Sequence, residues 1–466
     1  MEEVSTPNPV GIVVAGLSGG SGKSVVSVGI TAAFRQLGKK ICPFKKGPDY
    51  IDAGWLQLAA ARPCYNLDPY LMDKETIQRS FQKHSTGADL VLLEGNRGLF
   101  DGVDAAGSYS TAELSSIINQ PILLVVDCTK TTRTVAAMVL GCQKLDPSID
   151  IRGCVLNRIG SPRHEKIVRE AIEHYTDVQV VGAVRRQKLD IFPQRHIGIT
   201  PCPEFAGAEA AVQNVGRLIR DSVDLNQVLG LMKEVRPNVI LGGKGTEKSA
   251  ASRKKDLRIG ILKDAAFQFY YPENLNALAE RGAELIEINA LQAGCLPELD
   301  GLYIGGGFPE TSVKQLAANT TFRESVRLAV HNGLPVYAEC GGLIYLGKGM
   351  RVAGEYFPLA GVFPVVFEMM KTPQAHGYTV LEVSGANPFY AEGSKIKGHE
   401  FRYSRIAEWS GESSDLVFSM ERGVGFADGR DGLVCKNTLA LYTHIHALGT
   451  PEWADGFIDK VRVGKK

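Results

Sequence analysis

An apolar run from Val10 to Ala15 passes directly into Gly16-Leu17-Ser18-Gly19-Gly20-Ser21-Gly22-Lys23-Ser24. An amphipathic stretch from Val25 to Leu37 follows and is closed by Gly38. Strand, glycine-rich turn and helix, in that order, is the setting of a phosphate-binding loop. It commits this part of the chain to an α/β layer with a buried strand under the loop. Gly19, Gly20 and Gly22 let backbone N–H groups approach phosphates, and the helix start adds a favourable field. Lys23 is positioned to reach the β- and γ-phosphates of ATP, and Ser24 to ligate Mg²⁺. Leu17 stands where the strict pattern has its first glycine. The competing reading is an ordinary glycine-rich turn ahead of a helix.

More strand-like runs lead to polar groups. Lys40 to Phe44 runs into Lys45-Lys46-Gly47-Pro48-Asp49-Tyr50-Ile51-Asp52. Lysines there can meet phosphates or substrate carboxylates, and Lys45 is a candidate nucleotide contact. Asp49 and Asp52 are candidates for orienting substrate, with Asp49 also a Mg²⁺ ligand. A solvated turn is the alternative. Asp89 to Leu93 delivers Glu94, placed as the Mg²⁺-linked acid opposite a phosphate loop. Asp101, in the glycine-rich segment that follows, sits near substrate or caps a turn. Further strands span Pro121 to Val126, Ile151 to Leu156 and Val178 to Val184, with a crossover helix at Thr134 to Gln143. Asn157, at a strand end, reads adenine or forms a turn. The alternation predicts a doubly wound parallel sheet with its site at the carboxyl edge.

Beyond Asp221 the pattern weakens, apart from a short helix at Leu225 to Leu231. The polar Gly242 to Lys255 stretch reads as a linker. Its Gly242-Gly243-Lys244-Gly245-Thr246 lacks a following helix and is not counted as a second nucleotide loop. A second α/β pattern begins with strands at Leu257 to Leu262, Leu285 to Ile288 and Gly301 to Ile304. Helices are expected at Pro272 to Arg281, Thr311 to Ala318 and Thr321 to Asn332. A strand from Pro335 to Ala338 delivers Glu339-Cys340-Gly341-Gly342, and a helix-like run covers Leu343 to Leu346. The expected division is 1–220, a 221–256 linker, and 257–466.

Cys340 stands apart from the other eight of nine cysteines, which lack a CxxC spacing and read as core residues. A thiol on a sharp strand-to-helix turn is presented as a nucleophile, and a helix start favours a thiolate. Amides of the adjoining glycines and of Gly305 to Gly307 are candidate oxyanion donors. The nucleophile needs a base. His444 and His446 follow a strand-like Leu439 to Leu441 and, two apart on a strand, would share one face. They read as base and orienting partner, in either order, as a surface pair, or as half of a metal site. His399 reads as a packed or surface histidine.

Charge is balanced, with 52 Lys+Arg against 51 Asp+Glu, which gives no argument for nucleic acid as a partner. No apolar run approaches the roughly 20 residues of a membrane-spanning helix. An acidic start and scattered cysteines point to the cytoplasm.

Taken together these segments resemble the cobyrinic acid a,c-diamide synthase family. The resemblance rests on the loop with Lys23-Ser24, the run Phe44 to Asp52, and Asn66-Leu67-Asp68-Pro69. It continues through Glu94-Gly95, Gly98 to Gly102, Arg195-His196-Ile197-Gly198 and Gly305 to Glu310. Ala338 to Gly342, Gly398 to Phe401 and the terminal His444-Ile445-His446 complete it. It implies a P-loop parallel-sheet ligase domain plus a class I-like glutamine amidotransferase α/β domain. The reaction implied is ATP-dependent amidation of the a and c carboxylates of cobyrinic or hydrogenobyrinic acid. L-glutamine would supply ammonia, carried inside the protein, with Cys340 as glutaminase nucleophile and His444 as base. Many class I amidotransferases have Glu two residues beyond that histidine, where this chain has His446. Nickel-sirohydrochlorin is the alternative substrate within the family, and a partition-type or regulatory ATPase the distant alternative. Ser18, where partition ATPases carry a second lysine, speaks against the latter. A homodimer is a further expectation.

Overall fold

The computed structural model describes residues 8–187, 192, 194–195, 198–236 and 255–465. The chain divides into two compact units, Met1–Gly243 and Lys244–Lys466.

The first unit is built on seven parallel strands. They are β1 (Val10–Gly16), β2 (Ile41–Lys46), β3 (Tyr65–Leu67), β4 (Leu90–Glu94), β5 (Ile122–Asp127), β6 (Ile151–Ile159) and β7 (Gln179–Arg185). Their order across the sheet is β3-β2-β4-β1-β5-β6-β7. Near-continuous apolar runs such as Ile12 to Ala15 and Leu90 to Leu93 are buried on both faces, as parallel strands covered by helices must be. Helix α1 (Lys23–Gln36) packs closely on the helix Ala208–Ser222, where Gly29 leaves room for Ile219. Strands β2 to β4 lie on one side of β1 and β5 to β7 on the other, so the winding switches at β1 and the carboxyl ends of β2, β4 and β1 lie together. That arrangement sets Lys45, Glu94 and the glycine loop beside one another.

Residues 221–236, expected to begin the linker, belong to this unit. The helix Leu225–Leu231 buries Val228 and Leu231, and Lys233–Glu234 pairs antiparallel with β1. The rest of the expected linker, including Gly242 to Thr246, lies outside the described residues except at its end. Of the Arg195 to Gly198 segment, only its two end residues are described.

The second unit holds a six-stranded sheet. Its order is Ala283–Ile288, Leu257–Leu262, Gly301–Ile304, Val336–Glu339, Thr438–Leu441 and Leu433–Cys435, the first five parallel. Between Val336–Glu339 and Thr438–Leu441 the chain forms a four-stranded sheet and four strands of a five-stranded one, neither anticipated from the sequence. Phe363, Val365, Val366 and Phe367 are among their buried residues. The expected run of one strand through both histidines is corrected here. The strand Thr438–Leu441 stops at Leu441, and His444–Ile445 pairs instead with Lys395–Arg402 in the five-stranded sheet. Asp431 anchors the break, accepting Tyr442 N–H at 3.1 Å and Thr443 N–H at 3.3 Å.

Candidate active sites

In the loop after β1, Gly22 takes φ +95°, where a Cβ would lie 2.0 Å from Asn157 Nδ2. Both facts close the position to a side chain. Ser21 Oγ and Lys23 Nζ each donate to Ser18 O at 3.0 Å. Gly19 and Gly20 are exposed, with open space where side chains would stand. Asn157 donates to Ser21 O at 2.9 Å, and its Oδ1 accepts Arg158 N–H at 2.9 Å. The amide therefore braces the loop with both ends engaged by protein.

Lys45 and Glu94 are register partners on β2 and β4. Lys45 Nζ lies 2.9 Å from Asp52 Oδ2, 3.1 Å from Glu94 Oε1 and 3.7 Å from Asp49 Oδ2. It also donates to Gly95 O at 2.9 Å. Asp52 N–H donates to Asp49 Oδ1 at 3.0 Å at the start of the helix Ile51–Ala60, where negative charge is favoured. One ammonium thus faces three carboxylates. Burial lowers the Lys45 pKa, but Asp52, Glu94 and Asp49 outweigh it and hold the group well above its usual range. Burial pushes Glu94 up to about 7 against the pull of Lys45. Burial and then Asp52 raise Asp49 to about 6. Burial also acts to raise Asp52, yet Lys45 overrides it and keeps that carboxyl below its ordinary value. Lys23 and Lys46 are both lowered, chiefly by burial.

Ser24 Oγ donates to Glu94 Oε1 at 2.9 Å, while Glu94 Oε2 is buried without a hydrogen-bond partner. A hydroxyl beside an orphaned carboxylate oxygen fits a Mg²⁺ that takes its other ligands from phosphate and water. Among the described residues no group of three His, Cys, Asp or Glu is arranged to hold a metal unaided. Lys45 occupies the centre that such a group would need. Asp101 is exposed, and its Oδ2 accepts Gly98 N–H at 2.8 Å. That contact closes the turn from Gly98 to Asp101 rather than capping the turn that follows. Its charge also acts on Lys23.

In the second unit Cys340 takes φ 45° and ψ −96°, a strained conformation that a sharp strand-to-helix turn imposes. Its own N–H donates to Leu441 O at 2.8 Å. Gly305 N–H donates to Tyr270 Oη at 2.8 Å, so Gly305 drops out of the expected oxyanion donors. Gly306, Gly307, Gly341 and Gly342 remain, with Gly307 N 3.0 Å from where a Gly341 Cβ would stand. Gly306 presses on His444, since a Cβ there would lie 2.3 Å from Cε1.

His444 hydrogen-bonds the Cys340 thiol, and its Nδ1 lies 3.4 Å from Glu339 Oε2. This leaves Nε2 for the thiol. Burial works to lower the His444 pKa, but bonds to Cys340 and Glu339 and their charges raise it to about 10. His399 stacks on the imidazole, rings 4.9 Å apart and 20° from parallel. It is buried rather than on the surface, and burial followed by His444 holds it well below its usual range. His446 is engaged elsewhere. Its Nδ1 accepts Leu448 N–H at 3.2 Å, its Nε2 lies 3.7 Å from Glu273 Oε2, and its ring packs on Tyr271. Sequence reasoning passed over Glu339, Glu273 and Asn274. Asn274 fixes the histidine segment by donating to Ile445 O at 3.0 Å and accepting Ala447 N–H at 2.7 Å. Only Glu339, adjacent to the cysteine, carried a local signal.

Residues 12–198 match the model of the CobQ/CobB/MinD/ParA nucleotide binding domain, and residues 258–452 that of the CobB/CobQ-like glutamine amidotransferase domain. A cobyrinate a,c-diamide synthase of Magnetococcus marinus is 40% identical over 93% of both chains. Those of Archaeoglobus fulgidus and Dehalococcoides mccartyi are each 36% identical over 96% of this chain and 97% of theirs.

Proposed function

The chain belongs to the cobyrinate a,c-diamide synthase family, and on that premise we propose that its two sites act in succession on a tetrapyrrole carboxylic acid. The substrate is cobyrinic or hydrogenobyrinic acid, amidated at the a and c side chains. ATP and L-glutamine are the co-substrates. The observation that carries this is the pairing, in one chain, of a braced phosphate loop with a strained thiol beside the His444–Glu339 pair.

At the second unit, Cys340 Sγ attacks the glutamine amide carbon, with backbone N–H groups of the Gly306–Gly307 and Gly341–Gly342 turns as the oxyanion donors. His444 gives its proton to the departing nitrogen, ammonia leaves, and water cleaves the thioester to glutamate. At the first unit a substrate carboxylate oxygen attacks the γ-phosphorus of ATP, and ADP departs. Ammonia then adds to the acyl phosphate and inorganic phosphate leaves, completing the amide. Two such rounds give the diamide. Backbone amides of the loop and Lys23 bind the phosphates, and Lys45 holds Asp49, Asp52 and Glu94 in place. Ser24 and Glu94 would hold Mg²⁺, with Asp49 nearby, and the ion neutralises phosphate charge when bound. Asn157 supports the loop, and Asp101 orders the turn next to it. A cytoplasmic setting is part of this reading, and no described helix is long and apolar enough to cross a membrane. A homodimer remains part of the proposal, to be tested by light scattering.

The test is product analysis by mass spectrometry with the full chain, glutamine, ATP and Mg²⁺. Cobyrinic acid and nickel-sirohydrochlorin are supplied in separate arms. Conversion of cobyrinic acid to its diamide is expected. Turnover of the nickel compound alone would transfer the reading to that substrate, and turnover of neither would overturn it.

A further inference from the structure

We propose that Glu339, the residue before the nucleophile, is the carboxylate that orients His444, and that His446 has no part in that orientation. The inference rests on the reading of Cys340 as the glutaminase nucleophile. Glu339 ends the strand Val336–Glu339 and is wholly buried. Its Oε2 lies 3.4 Å from His444 Nδ1 and accepts Tyr303 O–H at 3.3 Å. Its Oε1 accepts Ile445 N–H at 3.3 Å, which ties the carboxylate to the backbone of the next residue after the imidazole. A buried carboxylate with these partners fixes a tautomer with the proton on Nδ1 and turns Nε2 to the thiol. It also stabilises the imidazolium, in keeping with the elevated His444.

The position two residues on offers no substitute. His446 has one ring nitrogen on Leu448 N–H and the other toward Glu273. The connection runs through geometry and not through sequence spacing. Glu339 pairs in register with Leu441, and the chain needs only Tyr442 and Thr443 to bring His444 back over the strand end. The groups facing His444 are Cys340 and Glu339 from the nucleophile turn and His399 from the strand Lys395–Arg402. Tyr303 reaches it through Glu339, and His444 and His446 both act on their neighbour His399.

Glu339→Gln keeps the shape and removes the charge. Glutamine-driven turnover should fall about 100-fold or more, with KM for glutamine little changed. Ammonia-driven synthesis should stay within about twofold of the parent, since a positioning group for His444 has no place in that step. The His444 imidazole, followed by NMR with ¹³C-labelled histidine in the full chain, should titrate at least about one pH unit lower. Glu273→Gln should leave that titration in place. An unchanged titration in Glu339→Gln, or the same drop in Glu273→Gln, overturns the proposal. If Glu339→Gln does not fold, Glu339→Asp decides the matter. The retained charge should keep His444 titrating above its ordinary value, and a return to that value would overturn the assignment. Failure of the underlying reading shows separately, as glutamine use that survives in Cys340→Ser.

Discussion

Lys45 Nζ lies 3.1 Å from Glu94 Oε1, and neither side chain reaches solvent. With Asp52 at 2.9 Å, the pair forms a buried charge cluster beside a phosphate loop. Removing the ammonium from such a cluster is costlier than the pair is worth, because the carboxylates around it stay buried. Lys45→Ala should therefore lower stability by about 3–5 kcal/mol in denaturant unfolding. Adding Glu94→Gln to that variant should restore part of the loss. Restoration of nothing would mean that Lys45 holds the fold through its aliphatic stem alone.

The same cluster sets a pH response. Glu94 rises from 4.5 to about 7 and Asp49 from 3.8 to about 6 on folding. Over that interval the folded chain binds more protons than the unfolded chain. The contribution of these groups to stability is complete below their ordinary values and is lost as pH climbs through about 6 and about 7. Glu94→Gln should thus melt above the parent at pH 8 and approach it near pH 4.5. Binding of Mg²⁺ and ATP needs the carboxylate form of Glu94, so binding at pH 6.5 should release protons. Calorimetry in buffers of different ionisation enthalpy measures that release. An apparent enthalpy independent of buffer at pH 6.5 would rule it out.

The phosphate loop was legible because three consecutive local signals agree: a buried apolar run, a glycine turn and a helical period. Strand ends carrying Lys45, Asp49, Asp52 and Glu94 were legible for the same reason. Their pairing into one cluster depends on β4 lying between β2 and β1, which no local pattern encodes. The break after Leu441 escaped notice because apolar Leu439 to Leu441 and the nearby Ile445 suggest one continuous strand. A buried Asp431, distant in the pattern, diverts the backbone there. The four-stranded sheet, in which Gly347–Val352 and Phe363–Met369 run parallel, and the antiparallel five-stranded sheet were not legible because their strands mix inward and outward positions. Glu273 sits on a helix far from His446 in sequence, and only tertiary packing pairs them.

Gly22→Ala tests the loop without removing a charged group. Its φ of +95° disfavours a side chain, and the added methyl would strike Asn157 Nδ2 at 2.0 Å. ATP binding should be lost, as it should be in Lys23→Ala, while glutamine hydrolysis persists in both. Equilibrium binding of a fluorescent ATP analogue reads the first effect, and glutamate release reads the second. Parent-like affinity in Gly22→Ala would show that the loop can reshape around a methyl group.

Cys340→Ser separates the two chemistries. The thiol is needed only to take ammonia from glutamine, so glutamine-driven diamide formation should fall by about 10³-fold or more while ammonium salts still support synthesis. His444→Ala should give the same separation, because its ring is the one bonded to Cys340. His446→Ala should cost far less, since both its nitrogens face Leu448 and Glu273 and not the thiol. Some loss is still expected, because the ring packs on buried Tyr271 and removing it leaves a cavity beside the histidine segment. That loss should appear as reduced thermal stability, with ammonia- and glutamine-driven rates falling together. A defect in His446→Ala confined to glutamine, with His444→Ala close to the parent, would move the base by two residues. Loss of the ammonia-driven reaction in folded Cys340→Ser would instead make the two sites interdependent, against the division of labour proposed for them.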